Sequence, residues 1–308
     1  GEANKPFLLA LAGSSEAVAS FFKPGELSQS QQKSGLWLNG YEQWGYQDET
    51  SGFSGYNYNL YGGTLGFDRM LSDHLMAGIS LAHSRTSVRL DEHMGETDIN
   101  GVIASLYGTY FTTHAYAEGA LSYGRNAYNN YRYLSIGSMQ RTARSDHNGD
   151  VYSAYLGGGY VFDVNKWAIG PFGSLKYVYL NEEGFTEIGA DSLNLTVSRS
   201  KTDSLVSELG LRVARAFKTE SGNLIPEVTA ALNYDFDIDD RVITASFSGS
   251  PDATLTMKGQ GVEKYGVTVG AGLTFIHNNG FSTALKYTGE FRNKYQSHGI
   301  VGQLRFQF

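Results

Sequence analysis

Two short stretches bring together side chains that could do chemistry. "HSR" (83–85) sets His83 beside Ser84, a base and a hydroxyl, and "DIDD" (237–240) clusters three carboxylates of the general acid–base type. Neighbouring residues of a strand point to opposite faces, so His83 cannot easily activate Ser84. Solvated loop charges account more simply for the aspartates. The 7 histidines are scattered without ligand spacing, so no metal site is expected. The glycine runs lie in alternating segments rather than ahead of a helix, so no nucleotide or other cofactor is expected either. A third set is more ordered: Glu118, Lys176, Glu208, Arg212, Lys264, Lys286, Glu290 and Arg305 fall by alternation on one face of their segments. That face must be wet or internally paired if the segments cross a membrane. Ion pairs bracing a wall are the simpler reading of this set; conduction or catalysis is the sharper one.

The elements that carry these charges alternate strictly. In the last run Ile300, Gly302, Leu304, Phe306 and Phe308 oppose Val301, Gln303, Arg305 and Gln307. Phe281, Thr283, Leu285, Tyr287 and Phe291 oppose Ser282, Ala284, Lys286, Thr288 and Glu290. Tyr265, Val267, Val269, Ala271, Leu273 and Phe275 oppose Lys264, Gly266, Thr268, Gly270, Gly272 and Thr274, a set with no large apolar member. A soluble sandwich would pack its larger side chains inside. One greasy face set against glycine, threonine and isolated charges fits a lipid-facing strand with a narrow, hydrated lumen behind it.

Composition agrees. The 308 residues include 38 Gly, 21 Tyr and 17 Phe but only 5 Pro, which favours many short-turned strands over helices. Cysteine is absent, which removes disulfides, thiolate catalysis and zinc–thiolate sites together. The formal charge is -7 without a basic patch, so nucleic acid is not an expected partner. No apolar run reaches the ~18 residues of a membrane-crossing helix, and the N-terminus lacks the charged and apolar regions of a signal peptide. A spanning barrel needs only alternate apolar positions, so a mean hydropathy of -0.29 is compatible with it.

Twelve such segments can be marked, near 35–46, 55–70, 74–88, 98–112, 114–128, 150–163, 167–181, 203–218 and 223–237, followed by the three runs above. The connections "LSD" (71–73), "TTH" (112–114), "VNK" (164–166), "KTESGN" (218–223) and "HNNG" (277–280) are short, whereas 129–149, 182–202 and 238–259 read as long polar loops. Short turns on one side and long loops on the other are expected of an outer-membrane barrel, with the short turns periplasmic. Pro171 and Pro226 fall inside strands, close to short turns, where a missing ladder donor is tolerable. Trp37, Trp44 and Trp167 are assigned to interfacial aromatic belts.

One stretch does not alternate. "PFLLALAGSSEAVASFF" (6–22), with Asn4 as cap and Pro6 early in the first turn, predicts a helix about 25 Å long, close to the hydrocarbon thickness of a bilayer. Phe7, Leu8, Leu9, Leu11, Val18 and Phe21 are among its large apolar residues and Glu16 is its only charge. Its length and many small residues suit a barrel lumen; an amphipathic helix against the mouth or membrane surface is the alternative. The polar stretch 23–34 leads from it into the first strand.

The set "LWLNGYEQWG" (36–45), "YGGTLGFDRMLSDHLMAGISLAHSRT" (61–86), "YGVTVGAGLTF" (265–275) and "GQLRFQF" (302–308), in that order behind a pore-length segment, resembles the C-terminal translocator domain of classical autotransporters of Gram-negative bacteria. The resemblance implies an all-β fold: a twelve-stranded antiparallel transmembrane barrel (35–308) with the N-terminal α-helix and linker (1–34) in its pore as the stub of an exported passenger. It implies a monomer in the outer membrane whose partners are lipids, its own passenger, periplasmic chaperones and the barrel-assembly machinery, for which Leu304, Phe306 and Phe308 form the signal. It implies a translocator, not an enzyme. In some autotransporters an asparagine of the helix cleaves the passenger; Asn4 is followed by Lys5 rather than a second asparagine and lies at the helix edge, so capping is the favoured role. The rival reading is a small-solute pore or adhesin-type barrel whose mouth the N-terminal segment plugs.

Overall fold

The computed structural model describes residues 34–49, 54–236, 242–258 and 263–308. Twelve antiparallel strands close into a barrel. They are β1 (Ser34–Gln47), β2 (Tyr56–Ser72), β3 (Leu75–Leu90), β4 (Gly95–Phe111), β5 (Ala115–Ile136), β6 (Met139–Tyr160), β7 (Trp167–Glu182), β8 (Ser200–Arg215), β9 (Gly222–Asp235), β10 (Tyr265–His277), β11 (Phe281–Arg292) and β12 (Tyr295–Gln307). Each pairs with its sequence neighbours, and β1 also pairs with β12, from Gly35 opposite Gln307 to Gln47 opposite Tyr295. Ser34 and Phe308 exchange backbone bonds of 3.0 and 2.9 Å at the end of that seam. Closure leaves no free strand edge, the condition for a sheet to sit in lipid.

Alternation sorts the side chains as lipid and lumen require. Leu65, Leu81, Leu106, Leu121, Leu156, Leu209, Leu232 and Leu285 point outward, and Leu121 and Leu156 are each 63% exposed. A continuous apolar band of this kind is not tolerated in water and identifies the outer face as the lipid-facing one. His83 lies on that exposed face and Ser84, buried, on the inner one. Short connections at 73–74, 112–114, 216–221 and 278–280 share one end of the barrel with Ser34 and Phe308; the long ones, 48–55, 183–199 and 236–264, lie at the other.

Pro171 marks its place in the ladder. Pairing of β6 with β7 runs to Gly159 opposite Phe172, breaks where Pro171 has no N–H to donate, and resumes in the same register at Phe162 opposite Ile169.

Two sequence expectations are corrected. Residues 129–149 are not a loop: β5 and β6 continue as one tall hairpin, paired up to Ile136 opposite Met139. Above the bilayer neither face meets lipid, so that extension is not written as greasy against polar and alternation missed it. The stretches 182–202 and 238–259 also hold strands, Phe185–Thr186, Leu195–Val197, Val242–Phe247 and Ser250–Lys258, joined in a separate four-stranded sheet. Trp37 is the second correction. Trp44 and Trp167 are exposed, but Trp37 is 2% exposed and points into the barrel, because Gly66 opposite it in β2 leaves room for the indole.

The loop sheet is fastened to the tall hairpin. Arg132 donates to both oxygens of Glu187, at 2.9 and 2.6 Å, and to the Leu193 carbonyl at 2.9 Å, while Arg144 and Ile188 form a two-way backbone bridge. Arg132→Ala is expected to remove roughly 1.5–3 kcal/mol of charge-assisted bonding. Limited proteolysis of whole cells should then cut within 183–199 or 236–264 faster than in the parent, with the barrel's compact gel mobility unchanged.

Candidate functional site

The inward-facing side chains form the candidate site: a channel wall with a clamp across its closing seam. Alternation that sends Leu304 and Phe306 into lipid sends Arg305 inward, where it is 5% exposed. Its guanidinium reaches across β1 to Asp68 of β2 with bonds of 2.7 and 2.5 Å. Gly35 of β1 lies beneath the crossing, and any side chain there would collide with both partners. Tyr107 of β4 donates its hydroxyl to the same carboxylate at 2.9 Å, and the Trp37 indole N–H donates to the Tyr107 oxygen at 2.7 Å. Four strands, first and last included, are thus tied by a dry bidentate ion pair whose acceptor capacity is largely filled, the geometry in which such a pair holds firm.

A second network sits at the long-loop end. Arg292 donates to Glu290 at 2.6 Å and to the Glu263 carbonyl at 2.8 Å, and lies 3.9 Å from Asp235. Beside it the Tyr58 and Tyr295 hydroxyls meet at 3.1 Å, and Gln43 donates to Tyr58 at 3.2 Å. These bonds fasten the base of the 236–264 connection to β11. A third group lies lower in the wall: the Tyr155 hydroxyl donates to Glu118 at 2.7 Å, and Arg212 stacks over the Phe172 ring with its Nε 3.9 Å from Glu227.

The eight charges singled out by alternation separate as follows. Glu118, Lys176 and Arg305 are inward and buried; Glu208, Arg212, Lys286 and Glu290 are inward and half-buried. Lys264 stands apart, exposed and one residue ahead of β10, with its carbonyl accepting from the Asp235 N–H. Leu304, Phe306 and Phe308 are exposed on the outer face. Asn4, the segment 6–22 and the carboxylates of 237–240 lie outside the described residues. Sequence reasoning missed Asp68, Tyr107, Glu227, Asp235 and Arg292. Asp68 was within reach, since it continues the inward series Thr64, Gly66 as the one acid among small residues.

The wall has two characters. On β2–β7 the inner face carries Leu60, Ala82, Ile99, Ile103, Tyr128, Val151, Val178 and Leu180 as one packed patch, with Tyr41 of β1 against it. On β8–β12 the inner face is polar instead, with Glu208, Arg212, Thr268 and Lys286 half-buried and Thr202, Ser204, Asn233, Asp235, Thr274 and Gln303 buried. The small and polar inner face read from β10–β12 therefore does not extend to β2–β7, where apolar residues line the inside. These groups bind, brace and line a passage; nothing among them pairs an activated nucleophile with a base.

A family model described as the autotransporter beta-domain matches residues 36–288. The chain is 25% identical to outer membrane protein A of Rickettsia conorii over 288 residues, which is 90% of this chain and 14% of that protein. It thus spans about a seventh of the length of that curated relative. Among solved structures, the translocator domain of autotransporter NalP from Neisseria meningitidis superposes with a TM-score of 0.78 at 16% identity, covering 100% of this chain and 99% of that one. The beta domain of the Bordetella autotransporter BrkA follows at 0.66 and 15%, covering 90% of this chain and 100% of that one.

Proposed function

This chain belongs to the autotransporter beta-domain family, and from that membership we propose that its barrel exports an N-terminal passenger polypeptide to the cell surface and then anchors it. The domain resides in the bacterial outer membrane and is a translocator rather than an enzyme. The observation that carries the proposal is the position of Ser34. β1 begins at the short-turn mouth, bonded to Phe308, so the residues ahead of it start from the periplasmic end of the lumen.

On this reading residues 1–34 form a pore helix and linker and residues 35–308 the barrel. The helix, about 25 Å long, places Phe7, Leu8, Leu9, Leu11, Glu16, Val18 and Phe21 within the channel, capped by Asn4, and points the passenger outward. A lumen of twelve strands passes a hairpin or a single helix, so the passenger crosses unfolded and folds outside. The outward side chains of Leu304, Phe306 and Phe308 on the last strand serve as the signal read by the barrel-assembly machinery after periplasmic chaperones deliver the chain, and the barrel works as a monomer. The inward charges, Arg305 with Asp68 foremost, brace the wall.

Planar-bilayer conductance of the full chain and of a form lacking residues 1–34 tests this. The full chain should conduct weakly and the shortened one severalfold better. Equal conductance would overturn the pore-threading segment.

A further inference from the structure

We propose that the strand Ser250–Lys258 is a docking edge, to which an extended segment of the exported passenger adds as a fifth strand of the loop sheet when it leaves the channel. The inference rests on the export reading above and adds to it a place where the emerging chain is received.

The loop sheet runs in the order Ser250–Lys258, Val242–Phe247, Leu195–Val197, Phe185–Thr186. Its two edges differ. The Phe185–Thr186 side is held against β6, where the Phe185 ring stacks on His147 at 4.5 Å and Ile188 bridges Arg144. On the other side Ser250–Lys258 pairs only with Val242–Phe247 among the described residues, and Pro251 to Thr256 are all exposed.

Two bonds fix which backbone groups this open edge presents. The Glu187 N–H donates to the Leu195 carbonyl at 2.8 Å, and the Ser198 N–H donates to the Thr244 carbonyl at 2.9 Å. In an antiparallel strand the N–H and C=O of one residue point to the same side, and successive residues point to opposite sides. Leu195 and Val197 therefore face Phe185–Thr186, while Thr244 and Ser246 face Leu195–Val197. Ile243 and Ala245 turn the other way, toward Met257 and Leu255, their partners in the register. That leaves Thr254 and Thr256 with N–H and C=O both directed to the open side, an array ready to pair with one more strand.

The sequence of the edge agrees. Proteins commonly blunt a free edge with charge or proline. Pro251 and Asp252 do so at the start of this one, but "ATLTM" (253–257) holds neither and alternates threonine with apolar residues. Leu255 is 42% exposed.

The occupant has to bring unpaired backbone groups, in extended form, to the outward end of the barrel. On the export reading the passenger does so, because it crosses unfolded and emerges at the end where the connections 183–199 and 236–264, which carry this sheet, lie. Main-chain pairing is indifferent to sequence, and alternate side chains of the guest strand meet Leu255 or the two threonines. An isolated hairpin is marginally stable in water, whereas a strand added to an existing sheet is held. The edge thus gives the first residues out a ladder to join before the rest of the passenger arrives.

Thr256→Pro in the full-length protein, passenger included, isolates the edge. It removes an outward N–H and spares the bonds to Val242–Phe247, since proline is tolerated where an edge N–H faces solvent; Thr256→Ala keeps that N–H. In pulse-labelled whole cells the passenger of Thr256→Pro should reach the surface in parental amount but gain protease resistance severalfold more slowly, with Thr256→Ala matching the parent. In the unaltered full-length protein the Thr254 and Thr256 amides should exchange hydrogen as slowly as the Leu255 amide, which the loop sheet itself protects. If Thr256→Pro speeds cutting within 183–199 or 236–264, the exchange measurement alone decides. A Thr256→Pro passenger that folds at the parental rate over an intact loop sheet, or outward amides that exchange freely beside a protected Leu255, overturns the inference and leaves export in place. Protection confined to dimers assigns the edge to a second copy and overturns it too. Should the parent display no passenger, the export reading falls and this inference with it.

Discussion

Arg305→Ala is expected to deprive the chain of a closed barrel. The substitution leaves the Asp68 carboxylate 2% exposed with its main counter-charge gone. Breaking one side of a buried ion pair costs about 3–5 kcal/mol, against a total stability that for folded domains is commonly about 5–15 kcal/mol. The cost also falls on the last ladder to form, since Arg305 belongs to β12 and Asp68 to β2 with β1 between them. Asp68→Ala should be as severe, because it strands the guanidinium instead. The discriminating variant carries both Asp68→Leu and Arg305→Met: removing the two charges together should restore most of the compact barrel, as apolar replacement of a buried pair commonly does. The measurement is the fraction of unboiled protein running as the compact form on a detergent gel. A double variant no better than either single one, or an Arg305→Ala barrel as abundant as the parent, would show that the pair is not what holds the seam.

The second large effect separates the two faces of the wall. Leu106 is 58% exposed on the outer surface, whereas Thr268 is half-buried on the polar inner face. An arginine at a lipid-facing position near the bilayer centre costs about 2–4 kcal/mol, and one in a polar lumen much less. Leu106→Arg should therefore sharply reduce membrane-inserted barrel, and Thr268→Arg should leave insertion near the parent level. Urea-induced unfolding in lipid vesicles measures both. Equal destabilisation would mean that the outer band does not meet hydrocarbon.

What the sequence discloses follows from where its residues sit relative to the membrane. In β10–β12, lipid on one face and water on the other force a period of two, and the faces of Val267, Leu285 and Leu304 can be read directly. The same logic fails above the bilayer, where Asn129 to Arg144 meet water on one side and the loop sheet on the other, with no lipid to record a contrast. It fails again for Trp37, because an indole is as acceptable inside as at the interface, and only the absence of a side chain at Gly66 decides. Arg305 was legible as inward, since parity alone settles that. Its partner was not, because the Asp68 contact spans two ladders and a sequence does not state which residues two strands apart lie side by side.

The tall hairpin has a consequence for how the cell is met from outside. β5 and β6 are 22 residues each, and at about 3.3 Å per residue such a ladder runs for about 70 Å; at the ~35–45° tilt of barrel strands it rises about 50–60 Å, well beyond the ~30 Å of hydrocarbon it must traverse. Its tip, Ile136 to Met139, is therefore held out like a mast. A binder that reaches the barrel from outside meets that tip well above the channel wall, so selection by such binders should fall on those few residues sooner than on the clamp far beneath them.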